Sequence, residues 1–321
     1  MTEHGPFTYP GARDTVNSVG IAHAIRLGFT KTNDIVRTFR HAIALDEHRV
    51  KFKQNNWSGP PEVPDSADRP KSKEPRVKTD VEEVWFAGCH CDIGGGSVPN
   101  GTRPNLAHIS LRWMIRECFK TNTGMIFHSE EIRKIGIDPT SLYPVYKPRQ
   151  ISPAFVPIGS SQITVVEPQT WGAYFKSWIP FASKPEKKVS ELQVPTQSED
   201  ELDALDALAP AYDQLELNSS TWAWMEDFKM EREVRSKDGK FVPVFDKHLG
   251  HGRSIPPTTF QHGGKVKVHQ TVRLRMAATL KNGVKKGTSY SPLARVGYEP
   301  QFEDKMPFEK AVEKGLIEWV V

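Results

Sequence analysis

Apolar residues in this 321-residue chain recur in short blocks set between long polar stretches. Residues 83–87 (EVWFA) form a short, mostly apolar and aromatic run closed by Gly88, the pattern of a buried strand. A glycine-rich turn follows. From 106 to 119 (LAHISLRWMIRECF), Leu106, Ile109, Trp113 with Met114, and Cys118 fall three to five positions apart. That spacing predicts an amphipathic helix, with Asn105 as a candidate N-cap. Strand, glycine turn and helix in this order is the rhythm of an α/β sheet. Upstream, Ile35, Val36, Phe39, Ala42 and Ile43 keep helical spacing, while residues 42–45 read equally well as a buried strand. The pattern leaves both open.

Between these blocks the polar stretches suggest an organisation. Residues 58–80 hold Pro60, Pro61, Pro64, Pro70 and Pro75 among charges and predict a solvated, proline-rich insert. Beyond residue 146 the pattern changes. Residues 171–181 (WGAYFKSWIPF) are aromatic-rich, and 199–216 form a one-sided acidic run in which Leu202, Leu205 and Leu208 keep helical spacing. Pro and Ser on its flanks predict a mobile acidic linker. Later come Trp222 and Trp224, the segment DGKFVPVF with an Asp-Gly turn signal, and the basic stretch 268–276 (VHQTVRLRM). The expected division is an α/β unit over 1–146 and a loop-rich, aromatic and basic unit over 147–321.

Composition narrows the function classes. Lys and Arg number 43 against 39 Asp and Glu, a surplus too mild to point to nucleic acid. Three cysteines exclude a disulfide scaffold and fit a reducing compartment. With no signal-peptide pattern and no apolar run near the ~20 residues of a membrane span, the expected location is cytoplasmic.

The stretch 85–97 (WFAGCHCDIGGGS) carries the chemistry. His90 follows directly from a buried strand, at the end where α/β proteins place their catalytic groups. Gly94, Gly95 and Gly96 allow a sharp turn or a close ligand approach. His90 is therefore a candidate general base; from position alone, a hydrogen-bonded structural histidine is the plainer reading. Cys89 and Cys91 flank it, but an extended segment would point both away from His90. Only one residue separates them, against two to four in the usual zinc spacing. No metal and no cofactor is expected.

The string VWFAGCHCDIGGG with its LRWMIRE helix resembles the histidine motif of an α/β-hydrolase-like domain long listed as uncharacterised. That domain is widespread in fungi and forms the catalytic part of bacterial type VI secretion phospholipase effectors. Two further blocks agree in order: DTVNSVG over 14–20 and RHAIALDEHRVKFKQNNW over 40–57. Near the end, GHGRSIP (250–256) and VHQTVRLRM resemble the closing segments of fungal members. The resemblance implies a Ser–Asp–His hydrolase acting on carboxylic esters such as phospholipids. His90 matches the histidine. Asp14 is the chosen acid and Asp46 the alternative, with an ion pair or turn contact to Arg49 or His48 as the plainer role of Asp46.

One departure weighs against the match. The family carries a G-x-S-x-G-like nucleophile elbow upstream of the DTV block, and no G-x-S-x-G occurs in these 321 residues. Ser18 has Val16 where the first Gly is required, and Ser160 lacks the trailing Gly. The expectation is an N-terminally truncated, hydrolase-type three-layer sheet, inactive as written, with a misplaced start codon as the favoured cause. The rival is a non-catalytic module contacting a membrane surface or a protein. Residues 171–181 offer a lid or peripheral membrane patch, although core packing is the plainer role. Arg273 and Arg275 with His269 offer a phosphate-binding face, although a solvated basic face is plainer. His248 and His251 read as a structural loop.

Overall fold

The computed structural model describes residues 11–16, 36–57, 79–150, 194–217, 225–235, 241–256, 264–278, 290–297 and 305–321. In chain order these hold β1 (Gly11–Arg13), β2 (Thr38–Ala44), β3 (Asp80–Phe86), α1 (His90–Gly94), α2 (Ala107–Lys120) and α3 (Ser129–Lys134). There follow α4 (Glu199–Ala207), α5 (Gln214–Leu217), β4 (Met230–Arg235), β5 (Phe241–Asp246), β6 (Ser254–Ile255), β7 (Val266–His269) and α6 (Gln270–Ala277). Strands β8 (Arg295–Val296) and β9 (Met306–Pro307), helix α7 (Phe308–Glu313) and strand β10 (Ile317–Val320) complete the order.

Five strands form one parallel sheet in the order β1-β2-β3-β7-β10. Alternation along β2 and β3 sends neighbouring side chains to opposite faces. Ala42, Ala44, Val84 and Phe86 pack with Ile93, Leu106, Ile109 and Trp113, and with Ala204, Ala207 and Leu274. Ile43, Leu45, Trp85 and Ala87 pack on the other side with Ile255, Val268, Phe308 and Ala311. Both faces are therefore covered. A strand covered on both faces needs a near-continuous apolar run, which is why AIAL and VWFA carry no polar alternation. The chain has an α/β fold, with residues 42–44 in a strand rather than a helix.

Helix α2 runs over the expected segment, but its N-cap is Leu106 and not Asn105, whose side chain accepts the Ala107 N–H at 3.0 Å from one position further out. Arg40, buried on β2, ties α2 to the sheet: its Nε donates to Glu117 at 2.6 Å and its Nη2 to Asp80 at 2.7 Å.

The acidic run departs from expectation. Residues 199–207 form a packed helix with a Ser198–Glu201 capping box, burying Leu202, Ala204 and Ala207. Its buried acids are paired: Arg112 donates to Asp203 and Asp206, each at 2.6 Å, and Arg149 lies 2.8 Å from Asp203. A charge that pairs across a helix interface looks, in one dimension, like a charge that faces water. The same holds for 268–276, which is the β7–α6 junction. His269 and Arg275 are buried there, Arg275 donating to the carbonyls of Ala207 and Ala209, while Arg273 is exposed.

Strands β7 and β10 place residues from beyond 146 in the same sheet as β1–β3. The segment FVPVF lies in β5, paired with β4, while its Asp-Gly turn lies outside the described residues. So do Ser18, Ser160, residues 171–181, Trp222, Trp224 and the insert as far as residue 78.

Candidate active site

Strands β1, β2 and β3 lie side by side and parallel, so their carboxyl ends open on one edge of the sheet. Asp14 follows β1, Asp46 and Glu47 follow β2, and His90 follows β3. At Asp14 the backbone turns out of the strand with φ of 49°, a left-handed conformation that Asp tolerates better than most residues. Its N–H still bonds to Ala42 O at 2.7 Å, so the turn begins only at the side chain's own position.

The Asp14 carboxylate is buried and fully engaged. Oδ2 accepts His90 Nδ1 at 2.7 Å and Arg253 Nη2 at 2.9 Å. Oδ1 accepts Ala44 N at 2.8 Å and Arg253 Nη1 at 2.5 Å. Burial works to raise the Asp14 pKa. The Arg253 charge and the hydrogen bonds from His90 and Arg253 outweigh it and hold the carboxyl well below the usual carboxylate range. Asp14 is therefore an anion at neutral pH. Facing an anion, the imidazole carries its proton on Nδ1.

His90 opens helix α1. The turn before it is built from backbone N–H groups that each find a carboxylate: Gly88 N on Asp46 at 2.6 Å, Cys89 N on Asp92 at 2.8 Å and His90 N on Glu47 at 3.1 Å. The ring stands edge-on to Phe52, with centroids 5.1 Å apart, and its side chain is 28% exposed. Among the described residues, Nε2 has no hydrogen-bond partner. Glu47 is in turn gripped by Arg49 through Nε at 2.9 Å and Nη2 at 2.7 Å, and the Arg49 guanidinium lies 3.5 Å over the Phe52 ring.

Of the two acids expected from sequence, only Asp14 touches His90. Asp46 accepts Gly88 N, Tyr290 Oη at 2.7 Å and Leu293 N at 3.1 Å, and burial pushes its carboxyl up. It braces the turn beneath His90. The contacts considered for it go elsewhere: Arg49 pairs with Glu47, and His48 lies 2.6 Å from Asp213.

Among the described residues, no group of three or more His, Cys, Asp or Glu side chains is arranged to hold a metal. Because α1 begins at His90, the segment is helical from there on and not an extended strand. Cys89 is buried as the N-cap, its thiol pushed up by burial, and Cys91 is half-buried. His248 and His251 lie in a loop where His248 Nδ1 meets Glu226 at 2.7 Å. No described helix is long and apolar enough to cross a membrane.

Three residues of the site escaped the sequence reading: Glu47, Phe52 and Arg253. The first two sit in the block DEHRVKF beside Asp46. Arg253 sits in GHGRSIP, whose resemblance to related closing segments was the one available signal.

The parallel sheet thus carries an acid–histidine pair at the carboxyl ends of its strands. Residues 4–117 match the family model of the T6SS phospholipase effector Tle1-like catalytic domain, which relates this part of the chain to that family. The chain is also 38% identical over 64 residues to a protein of Saccharomyces cerevisiae (strain ATCC 204508 / S288c) described as uncharacterized protein YEL023C. That match covers 20% of this chain and only 9% of the yeast protein. No solved structure matches.

Proposed function

We propose that Asp14 and His90 are the acid and general base of a serine hydrolase that cleaves carboxylic esters of phospholipids. The observation that carries this reading is the 2.7 Å bond between Asp14 Oδ2 and His90 Nδ1, made at the strand ends by an imidazole whose Nε2 has no partner among the described residues. In such a site Nε2 takes the proton of the attacking serine hydroxyl. The ionised acid supports the imidazolium, which then protonates the leaving alkoxide. The family relationship supplies the substrate class: lipase-like hydrolysis.

The 321 residues hold no G-x-S-x-G, so in this reading they supply base and acid while the nucleophile comes from an elbow of the family's type. Alone, the chain should not hydrolyse nitrophenyl esters above a His90→Ala control. Joined to an elbow-bearing family segment N-terminal to residue 1, it should cleave phospholipid vesicles with fluorophosphonate sensitivity. Cleavage that survives His90→Ala, or no cleavage by the folded, joined protein, overturns the proposal.

A non-catalytic contact role is favoured by one separate observation. Ile126, Tyr143 and Val145 are exposed beside Phe127 and Tyr146, which pack on one small cluster around Ile132 and Leu142. Vesicle binding by the chain alone, abolished by Ile126→Asp and indifferent to His90→Ala, would favour that reading.

A further inference from the structure

We infer that Arg253 is the positioning residue of the pair: its guanidinium sets which Asp14 oxygen faces His90 and completes the site from a segment 239 residues away. This rests on reading Asp14 and His90 as acid and base.

The geometry is that of a fork. Nη1 and Nη2 take one Asp14 oxygen each, the bidentate arrangement that fixes the plane of a carboxylate. The guanidinium is itself held: Nη1 donates to Ala44 O at 3.0 Å, and Nε and Nη2 both donate to Phe52 O, at 3.1 and 2.5 Å. Every nitrogen of the fork therefore has an assigned acceptor. The same group thus fixes the acid and the backbone of Phe52, whose ring borders His90.

Without Arg253, the buried Asp14 carboxylate would keep two donors, Ala44 N and His90 Nδ1. A buried carboxylate so poorly matched takes up a proton or turns, and either change removes its support for an imidazolium. Lysine would not substitute. An ammonium is a point charge and cannot hold both oxygens in one plane while also reaching two carbonyls.

The chain is shaped to deliver this residue. At Gly252 a Cβ would lie 2.1 Å from Leu293 O, so only glycine permits this approach to the backbone of Leu293. The carbonyl of Arg253 then accepts Arg295 N at 2.9 Å, and β6 begins at the next residue. Residues 250–256 are consequently part of the site, although the sequence placed them far outside its 1–146 unit.

The test is spectroscopic and needs no nucleophile. In the 321-residue chain labelled at histidine, the proton shared by His90 Nδ1 and Asp14 should give a low-field resonance that Asp14→Asn abolishes. Arg253→Ala should speed exchange of that proton with water about ten-fold or more, the loss of a charge-assisted pair. Guanidinium ion at non-denaturing concentration should restore the resonance saturably, and sodium chloride of equal ionic strength should not. Arg253→Lys should lie between the two. A folded Arg253→Ala protein with the parent resonance, or one that guanidinium leaves unchanged, overturns the inference. If Arg253→Ala does not fold, Arg253→Lys decides: a parent-like exchange rate refutes the role and a faster one supports it. In the elbow-joined enzyme, Arg253→Lys should lower kcat and leave KM nearly unchanged. An intact resonance pattern in an elbow-joined protein with no esterase activity would leave Arg253 in place and remove the hydrolase reading alone.

Discussion

The Tyr290 hydroxyl donates to Asp46 across 2.7 Å, joining groups 244 positions apart. That bond, with the N–H groups of Gly88 and Leu293, occupies the Asp46 carboxylate beneath the histidine turn. Asp14 and Asp46 thus stand at the ends of neighbouring strands with separate duties. In the elbow-joined protein, Asp14→Asn and His90→Ala should each lower turnover by about three orders of magnitude. Their effects should be strongly non-additive, because both disable one machine. Asp46→Asn should leave turnover within about ten-fold while costing about 1–3 kcal/mol of stability through its three donors. Steady-state kinetics and denaturant titration of the three variants check this; a crippled turnover in Asp46→Asn with Asp14→Asn mild would reverse the assignment.

What could be read in advance followed from local periodicity and a local motif. Val84–Phe86 lie in a strand and Ile109–Cys118 in a helix because each pattern is complete within a few residues. Asp14 and His90 stand out through their flanking strings, and the structure brings their side chains together. Arg253 does not stand out, since nothing near it in sequence says that it will meet Asp14. Helix α4 was misread for a related reason. Asp203 and Asp206 look solvated until Arg112 and Arg149 arrive from other elements. The helical start at His90 was also hidden, because Cys89 is not a residue that announces an N-cap.

The Arg112 network carries a consequence for acid stability. Burial works to raise Asp203, but Arg112 and Arg149 outweigh it and bring the carboxyl down to about 2. A lowered acid contributes stability that is present above its unfolded pKa and lost as pH falls through the folded value. The protein should therefore lose stability from about pH 4 toward pH 2. Arg112→Met leaves Asp206 without its guanidinium partner and Asp203 with Arg149 alone, and should cost about 3–5 kcal/mol at pH 7. It should also flatten the acid limb. Urea midpoints at pH 3 and pH 7 measure both, and an unchanged acid limb in Arg112→Met would refute the account.

His48 behaves with the opposite sign. Burial acts to lower its pKa, yet Asp213, 2.6 Å from Nε2, and the Gly250 carbonyl raise it to about 9. A raised histidine contributes stability fully present below about pH 6.5 and lost as pH climbs through about 9. Asp213→Asn should remove that alkaline loss, which amounts to at most about 3 kcal/mol. Melting temperatures of parent and variant compared at pH 6 and pH 9.5 give the test. Parallel alkaline declines in the two proteins would show that the pair is not responsible.

Gly88 links the fold to the site most directly. Its φ is 106°, and a Cβ there would lie 2.5 Å from Asp92 Cβ. Asp92 cannot withdraw, because its carboxylate accepts the N–H groups of Cys89 and Tyr212 and anchors the first turn of α1. Burial has pushed that carboxyl up to about 7, so its place is already costly to hold. Gly88→Ala should therefore combine a left-handed backbone penalty with a collision at an atom that has no room, costing about 2–4 kcal/mol together. Because α1 begins two residues later, the same shift should draw His90 from Asp14 and quench the low-field proton described above. Asp92→Gly removes the colliding atom but not the backbone penalty. The double variant should recover part of the lost stability, with a coupling of about 1 kcal/mol or more between the two positions. Denaturation of the four proteins of this cycle, read beside the His90 resonance, settles it: additive losses, or a resonance untouched in Gly88→Ala, would mean that the turn does not hold the histidine in place.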